Sequence, residues 1–166
     1  MATLHAGKIV EENPALADGI FKRGFGRMFG ESVLLHPLEA AYLVSIDKIK
    51  VVSRGRKLGE RELLALAKKS DALALEKYAV LADLRRKGCA VRIAEGERWL
   101  RVYERGKRPG EAPSKFLVRV VREGERASAK EVVGEAERAH NARKRLVWAL
   151  VRRGGVSYYR IERAGF

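Results

Sequence analysis

Apolar residues in this chain come in short runs, each cut off by charge, glycine or proline; Leu146 to Val151 is among the longest. Nothing approaches the roughly 18–20 residues that a membrane span needs. The core must therefore be assembled from many small elements. Apolar residues make up 46% of the 166 positions, so a packed core is within reach and wholesale disorder is not expected. The opening MATLHAGKIVEENP lacks a cationic segment followed by an apolar one, so no secretory signal is read there. Cys89 is the only cysteine, which rules out an intramolecular disulfide and a cysteine metal cluster and suits a reducing cytoplasm.

The punctuation of these runs suggests the elements. GKIVEEN reads as a strand and a turn. The Gly- and Phe-rich GIFKRGFGRMFGESVLLHP reads as an irregular segment leading into a buried run at residues 33–35. Pro37 suits the first turn of a helix carrying Leu38, Ala41 and Tyr42 on one face. IKVVS reads as a strand, RGRKLGE as a loop, and residues 60–69 as a helix with Leu63, Leu64 and Ala67 aligned.

A second helix over residues 71–87 places Ala74, Tyr78, Leu81 and Leu84 along one stripe, with Gly88 as its terminator. CAVRIA and ERWLRVY, joined by a Glu95-Gly96 turn, and KFLVRVVR then read as three strands. Ser128 and Glu131 form a capping box that opens a long helix, its stripe running through Val132, Ala136, Ala139, Val147 and Leu150. VSYYRIER closes the chain as a strand. The expected class is α/β (α+β). A small mixed α/β domain occupies residues 1–69, and a second domain with a mixed sheet and a long helix occupies residues 70–166.

Charge points to a partner. Thirty-five Lys and Arg against twenty-one Asp and Glu leave +14. Residues 85–109 hold nine cations against three Glu, and residues 138–163 hold eight against one. Such concentration is the footprint expected for binding a phosphate backbone. Arginine is abundant, and the amides are only Asn13 and Asn141, a bias shared with hyperthermophile proteins. No P-loop, GxGxxG or HExxH occurs. The only aspartates are Asp18, Asp47, Asp71 and Asp83, all in the first half. A two-metal nuclease is therefore disfavoured and no metal or cofactor is expected. RNA cleavage on this chain would need acid–base chemistry: a base for the 2′-OH, an acid for the leaving 5′-oxygen and a cation against the phosphorane.

From EKYAVLADLRRKG through WLRVY, PSKFLVRVV and RKRLVWALVRRGGVSYYRIER, the second half resembles the catalytic domain of archaeal tRNA-splicing endonucleases. GFGRMFGESVLLHPLEAAYLV resembles the end of their N-terminal domain, so the likeness covers residues 19–163. It implies metal-independent cutting of precursor tRNA at bulge-helix-bulge sites, leaving a 2′,3′-cyclic phosphate and a 5′-OH. Tyr103 in WLRVY matches the family's general base and Lys144 in RKRLVWA its phosphorane-facing lysine. The family's general-acid histidine, in H-S-x-F-L-V, falls on Pro113 in PSKFLV. Proline has no proton to give. His140 matches a histidine that often precedes R-K in the family, and His36 lies in the other domain.

The resemblance therefore implies a structural subunit, inactive alone, that pairs with a catalytic paralogue in an α₂β₂ heterotetramer in the cytoplasm. Arg138, Arg143, Arg160, Lys107 and Arg108 are the RNA-binding candidates. Val156, Tyr158, Tyr159 and Ile161, on the two faces of the last strand, are the expected interface. The family's acidic plug loop falls on the basic residues 152–155. Without the family, Tyr103 reads as a half-buried sheet residue and Lys144 as part of a basic helix face. An active endonuclease with a relocated acid and a stand-alone nucleic-acid-binding module remain the alternatives.

Overall fold

The computed structural model describes residues 1–166 and divides them into two compact units, Met1–Tyr78 and Ala79–Phe166. The mixed α/β class expected from the sequence is what the chain adopts, with five helices and two mixed sheets.

In the first unit, β1 (Ala2–His5) and β2 (Lys8–Glu11) form a hairpin around Ala6 and Gly7, both at positive φ. That is the backbone a two-residue turn needs to match strand twist. Helix α1 (Pro14–Lys22) starts with the Asn13 side chain accepting the Leu16 N–H and with proline in its first turn. It occupies part of the segment read from sequence as irregular; β3 (Arg27–Phe29) and β4 (Ser32–Leu35) occupy the rest. Gly26 enters β3 at φ +69°, and a Cβ there would lie 2.6 Å from Val33 Cγ2 and 2.7 Å from the Leu34 carbonyl oxygen.

Helix α2 (Pro37–Ser45) is capped by His36, whose Nδ1 accepts the Leu38 N–H at 3.1 Å. Its Glu39 carboxylate accepts the N–H groups of His36 and Gly26 at 3.0 and 3.2 Å. The segment RGRKLGE is not all loop: β5 (Val51–Ser53) and β6 (Arg56–Leu58) pair across a second positive-φ turn at Arg54-Gly55. The sheet order is β3-β4-β2-β1-β5-β6. One face contributes Ala2, Ile9, Val33, Leu35 and Val51 to a core shared with α1, α2 and α3 (Glu60–Ser70).

Helix α4 (Ala74–Arg86) runs through the division between the units and ends at Gly88, φ +88°. In the second unit the sheet order is β11-β10-β9-β8-β7, with β7 Val91–Ile93, β8 Trp99–Val102 and β9 Phe116–Arg122. The capping box opens α5 as expected, but α5 spans only Ala129–Asn141. The sequence from Arg145 to Arg152, expected to continue the helix, is strand β10, parallel to β9, and β11 is Gly155–Ile161.

Two physical facts end the helix. Arg143 takes φ +55°, and the Arg143 and Lys144 N–H groups donate back to the His140 and Ala139 carbonyls, a helix-terminating motif usually built on glycine. Beyond it, Leu-Val-Trp-Ala-Leu-Val is rich in branched and aromatic side chains and lies second from the sheet's edge, where an unbroken apolar run suits a strand flanked on both sides. The basic residues 152–155 accordingly close a tight β10–β11 hairpin and not a helix–strand loop.

The two faces of this sheet are built differently. Val91, Leu100, Val102, Val118, Val120 and Ala149 are buried on one, where the Tyr158 hydroxyl donates to Asp83 on α4 at 2.5 Å. On the other, Leu117 and Leu146 pack with Ala139 of α5, flanked by Trp99, Trp148 and Ile161. Arg119, only 4% exposed, lies on this second face. It stacks 4.9 Å from the Trp148 ring and pairs with Glu135 of α5 and with Glu125.

Candidate functional site

Strand register brings three chain ends together. Val102 at the end of β8 faces Phe116 at the start of β9, and Phe116 faces Arg145 at the start of β10. Tyr103, Ser114 and Lys144 therefore emerge at the same end of the sheet. The Tyr103 N–H donates to the Ala90 carbonyl at 2.9 Å, and Lys115 N–H to the Val102 carbonyl at 3.0 Å, which fixes both sides of the intervening loop. At its base Lys115 Nζ lies 2.7 Å from Glu104 Oε1; that hydrogen bond and charge hold the Glu104 carboxyl below the usual range. Lys107 and Arg108 are exposed on this loop.

Lys144 leaves the end of α5 half-buried, and its ammonium donates to both Ser114 oxygens, the carbonyl at 2.8 Å and Oγ at 2.6 Å. Ser114 is 7% exposed, and its neighbour Pro113 faces solvent. The Ser114–Lys144 tie spans thirty residues of sequence and went unseen in the pattern of residues. Beside it a groove of about 540 Å³ is lined by Lys144, His140, Arg145, Arg160 and Arg163 over an apolar floor that includes Leu146 and Ile161.

The other expected residues are dispersed. Arg138 stacks 5.7 Å over Trp99, and Arg143 is the turn residue that ends α5. On β11, an edge strand, Val156 is half-buried, Tyr159 is 49% exposed and Ile161 packs against α5. The Tyr158 side chain is committed within its own unit. Burial and the hydrogen bond to Asp83 push its phenol pKa up, while Lys87 sits 4.8 Å over its ring. No group of three or more His, Cys, Asp or Glu is placed to hold a metal ion. No helix is long and apolar enough to cross a membrane.

Comparison with known proteins places both units. The family described as tRNA intron endonuclease, catalytic C-terminal domain, matches residues 74–159, and its N-terminal domain matches residues 2–64. A tRNA-splicing endonuclease of Thermococcus kodakarensis is 35% identical over 163 residues, covering 96% of this chain and 95% of the relative. One from Pyrococcus furiosus is 37% identical over 155 residues, covering 92% and 88%. One from Methanothermobacter thermautotrophicus is 30% identical over 145 residues, covering 85% and 83%.

Proposed function

The chain belongs to the tRNA intron endonuclease family, and on that premise we propose that it is the structural subunit of an α₂β₂ tRNA-splicing endonuclease, supporting assembly and RNA binding for a catalytic paralogue. In the chemistry proposed for the complex, the 2′-oxygen attacks phosphorus as its proton passes to a base. The P–O5′ bond breaks as that oxygen takes a proton from an acid, leaving the cyclic phosphate. In this chain Tyr103 stands at the base position and Lys144 at the cation position.

The observation that carries the proposal is Pro113: the acid position, next to the Ser114–Lys144 tie, holds a residue without a titratable group. Loss of a general acid costs about 10²–10⁴ in rate. Edge strand β11, with Tyr159 exposed, supports pairing with the partner chain.

A second reading, an active endonuclease with a relocated acid, is favoured by one feature: His140 and Lys144 line the same groove. Reconstitution separates the two. The purified chain should cut a bulge-helix-bulge RNA at least about 10²-fold more slowly than its complex with a Tyr/His/Lys-complete paralogue. Cleavage by the chain alone at the rate of the complex, abolished by His140→Gln, would establish the second reading and sink the first.

A further inference from the structure

We propose that the face of the N-terminal sheet turned away from its helices is a docking surface for the sugar–phosphate backbone of the precursor RNA. The inference rests on reading this chain as an RNA-processing subunit. The core takes Ala2, Ile9, Val33, Leu35 and Val51 from one face, so strand alternation sends their neighbours to the other. Strand register makes those neighbours a continuous row across all six strands: Arg27, Leu34, Val10, Thr3, Val52, Lys57. None of the six is buried, and the cations stand at its two ends. Five gaps of about 4.8 Å make it roughly 24 Å wide, enough for several nucleotides.

The same face adds Phe29 beside Arg27 and Lys50 just ahead of Val52 on one side of this row, and Lys8 beside Val10 on the other. Phe29 is 83% exposed. Lys8, Arg27, Lys50 and Lys57 are exposed and none makes an ion pair. The only carboxylate in the six strands, Glu11, points inward at 2% exposure. Glu12, the exposed residue that follows β2, stands in step with Lys8 and Val10, so the face stays net cationic, its four unpaired cations outnumbering that carboxylate.

Edge protection accounts for Arg27 and Lys57, which sit on the two edge strands. It does not account for Lys8, which is on an interior strand, or for a solvent-facing phenylalanine. A shallow sheet carrying separated cations and an exposed ring has the two recognition elements of single-stranded RNA, phosphate attraction and base stacking.

The test uses the full chain and a bulge-helix-bulge RNA, with affinity measured as a function of salt. Replacing the four cations together (K8Q, R27Q, K50Q, K57Q) should reduce the slope of log affinity against log salt by about 3, at roughly 0.7–0.9 per phosphate contact. Phe29→Ala should weaken binding about 5- to 150-fold and leave the slope unchanged. All five positions are exposed, so melting temperature should hold and exclude a folding defect. Unchanged slope and affinity in the four-site variant overturn the proposal. So does loss of binding to the co-expressed paralogue with RNA affinity intact, which would make the face a protein interface. Failure of the underlying RNA-processing reading looks different: the unmodified chain, alone and in complex, would bind no RNA.

Discussion

Removing the Glu135 carboxylate should destabilise the C-terminal unit far more than its partly exposed position suggests. Its side chain is 15% exposed, yet it serves two groups: it pairs with the buried Arg119 and accepts the Trp148 indole N–H at 3.0 Å. Glu135→Ala leaves a buried guanidinium with the Glu125 carboxylate at 3.2 Å and the face of Trp148 as its remaining partners. Breaking a buried pair from one side costs about 3–5 kcal/mol. The surviving contacts argue for the low end, about 3 kcal/mol. At roughly 2–4 °C per kcal/mol for a chain of this size, the melting temperature should fall by about 6–12 °C.

Circular dichroism melts provide the assay, and Arg119→Met combined with Glu135→Leu provides the control. With both charges gone no buried ion is stranded, and replacing buried pairs by apolar residues is often neutral. The double variant should recover the part of the loss that comes from the stranded guanidinium, since the Trp148 indole N–H lacks its acceptor in both variants. A fall below about 2 °C in Glu135→Ala would refute the reasoning, because it would mean that Arg119 is hydrated in the native state.

Two further outcomes are expected. Pro113→His should raise cleavage by the isolated chain by about 10²-fold or more, read as 2′,3′-cyclic phosphate ends; no gain would show that the vacant acid position is not what limits the chain. Stability should fall at acid pH. Burial opposes ionisation of Glu125, Asp71 and Asp83, but hydrogen bonds from Arg98 and the Arg122 N–H, from Lys77, and from Lys87 and Tyr158 outweigh it and lower all three pKa values. A lowered folded-state pKa gives stability that is complete above the ordinary values, 4.5 for Glu125 and 3.8 for the aspartates, and is lost as pH falls through the depressed ones. Melts from pH 6 to pH 2 with a flat profile below about 4.5 would contradict this.

The sequence showed its local structure more readily than its long-range structure. Prolines, the Ser128–Glu131 box and Gly88 marked helix ends because each satisfies or terminates a backbone ladder within four residues. The end of α5 was hidden because its turn residue is Arg143, not glycine, and because Val147 and Leu150 fall on the helical period by coincidence. A short apolar run cannot be assigned to helix or strand by period alone. β6 was hidden for a related reason: three residues with two cations resemble a loop until β5 pairs with them. At the candidate site, Tyr103, Pro113 and Lys144 were found through family resemblance. The Ser114 partner of Lys144 lies thirty residues away, beyond any local pattern.

That partner changes what the presence of Lys144 means. If Lys144 were deleted, the buried Ser114 hydroxyl and carbonyl would lose a charged donor, and an unsatisfied buried polar group costs about 1–3 kcal/mol. A lysine is thus useful at this position whether or not the subunit cuts RNA. Tyr103 is different. Its fixed contact is through its backbone N–H, which any residue but proline would supply, and its hydroxyl makes no hydrogen bond. Packing alone would accept phenylalanine there. The fold does not explain the phenol, so of the two positions assigned roles in the proposed function it is Tyr103, not Lys144, whose replacement by phenylalanine tests for contact with RNA.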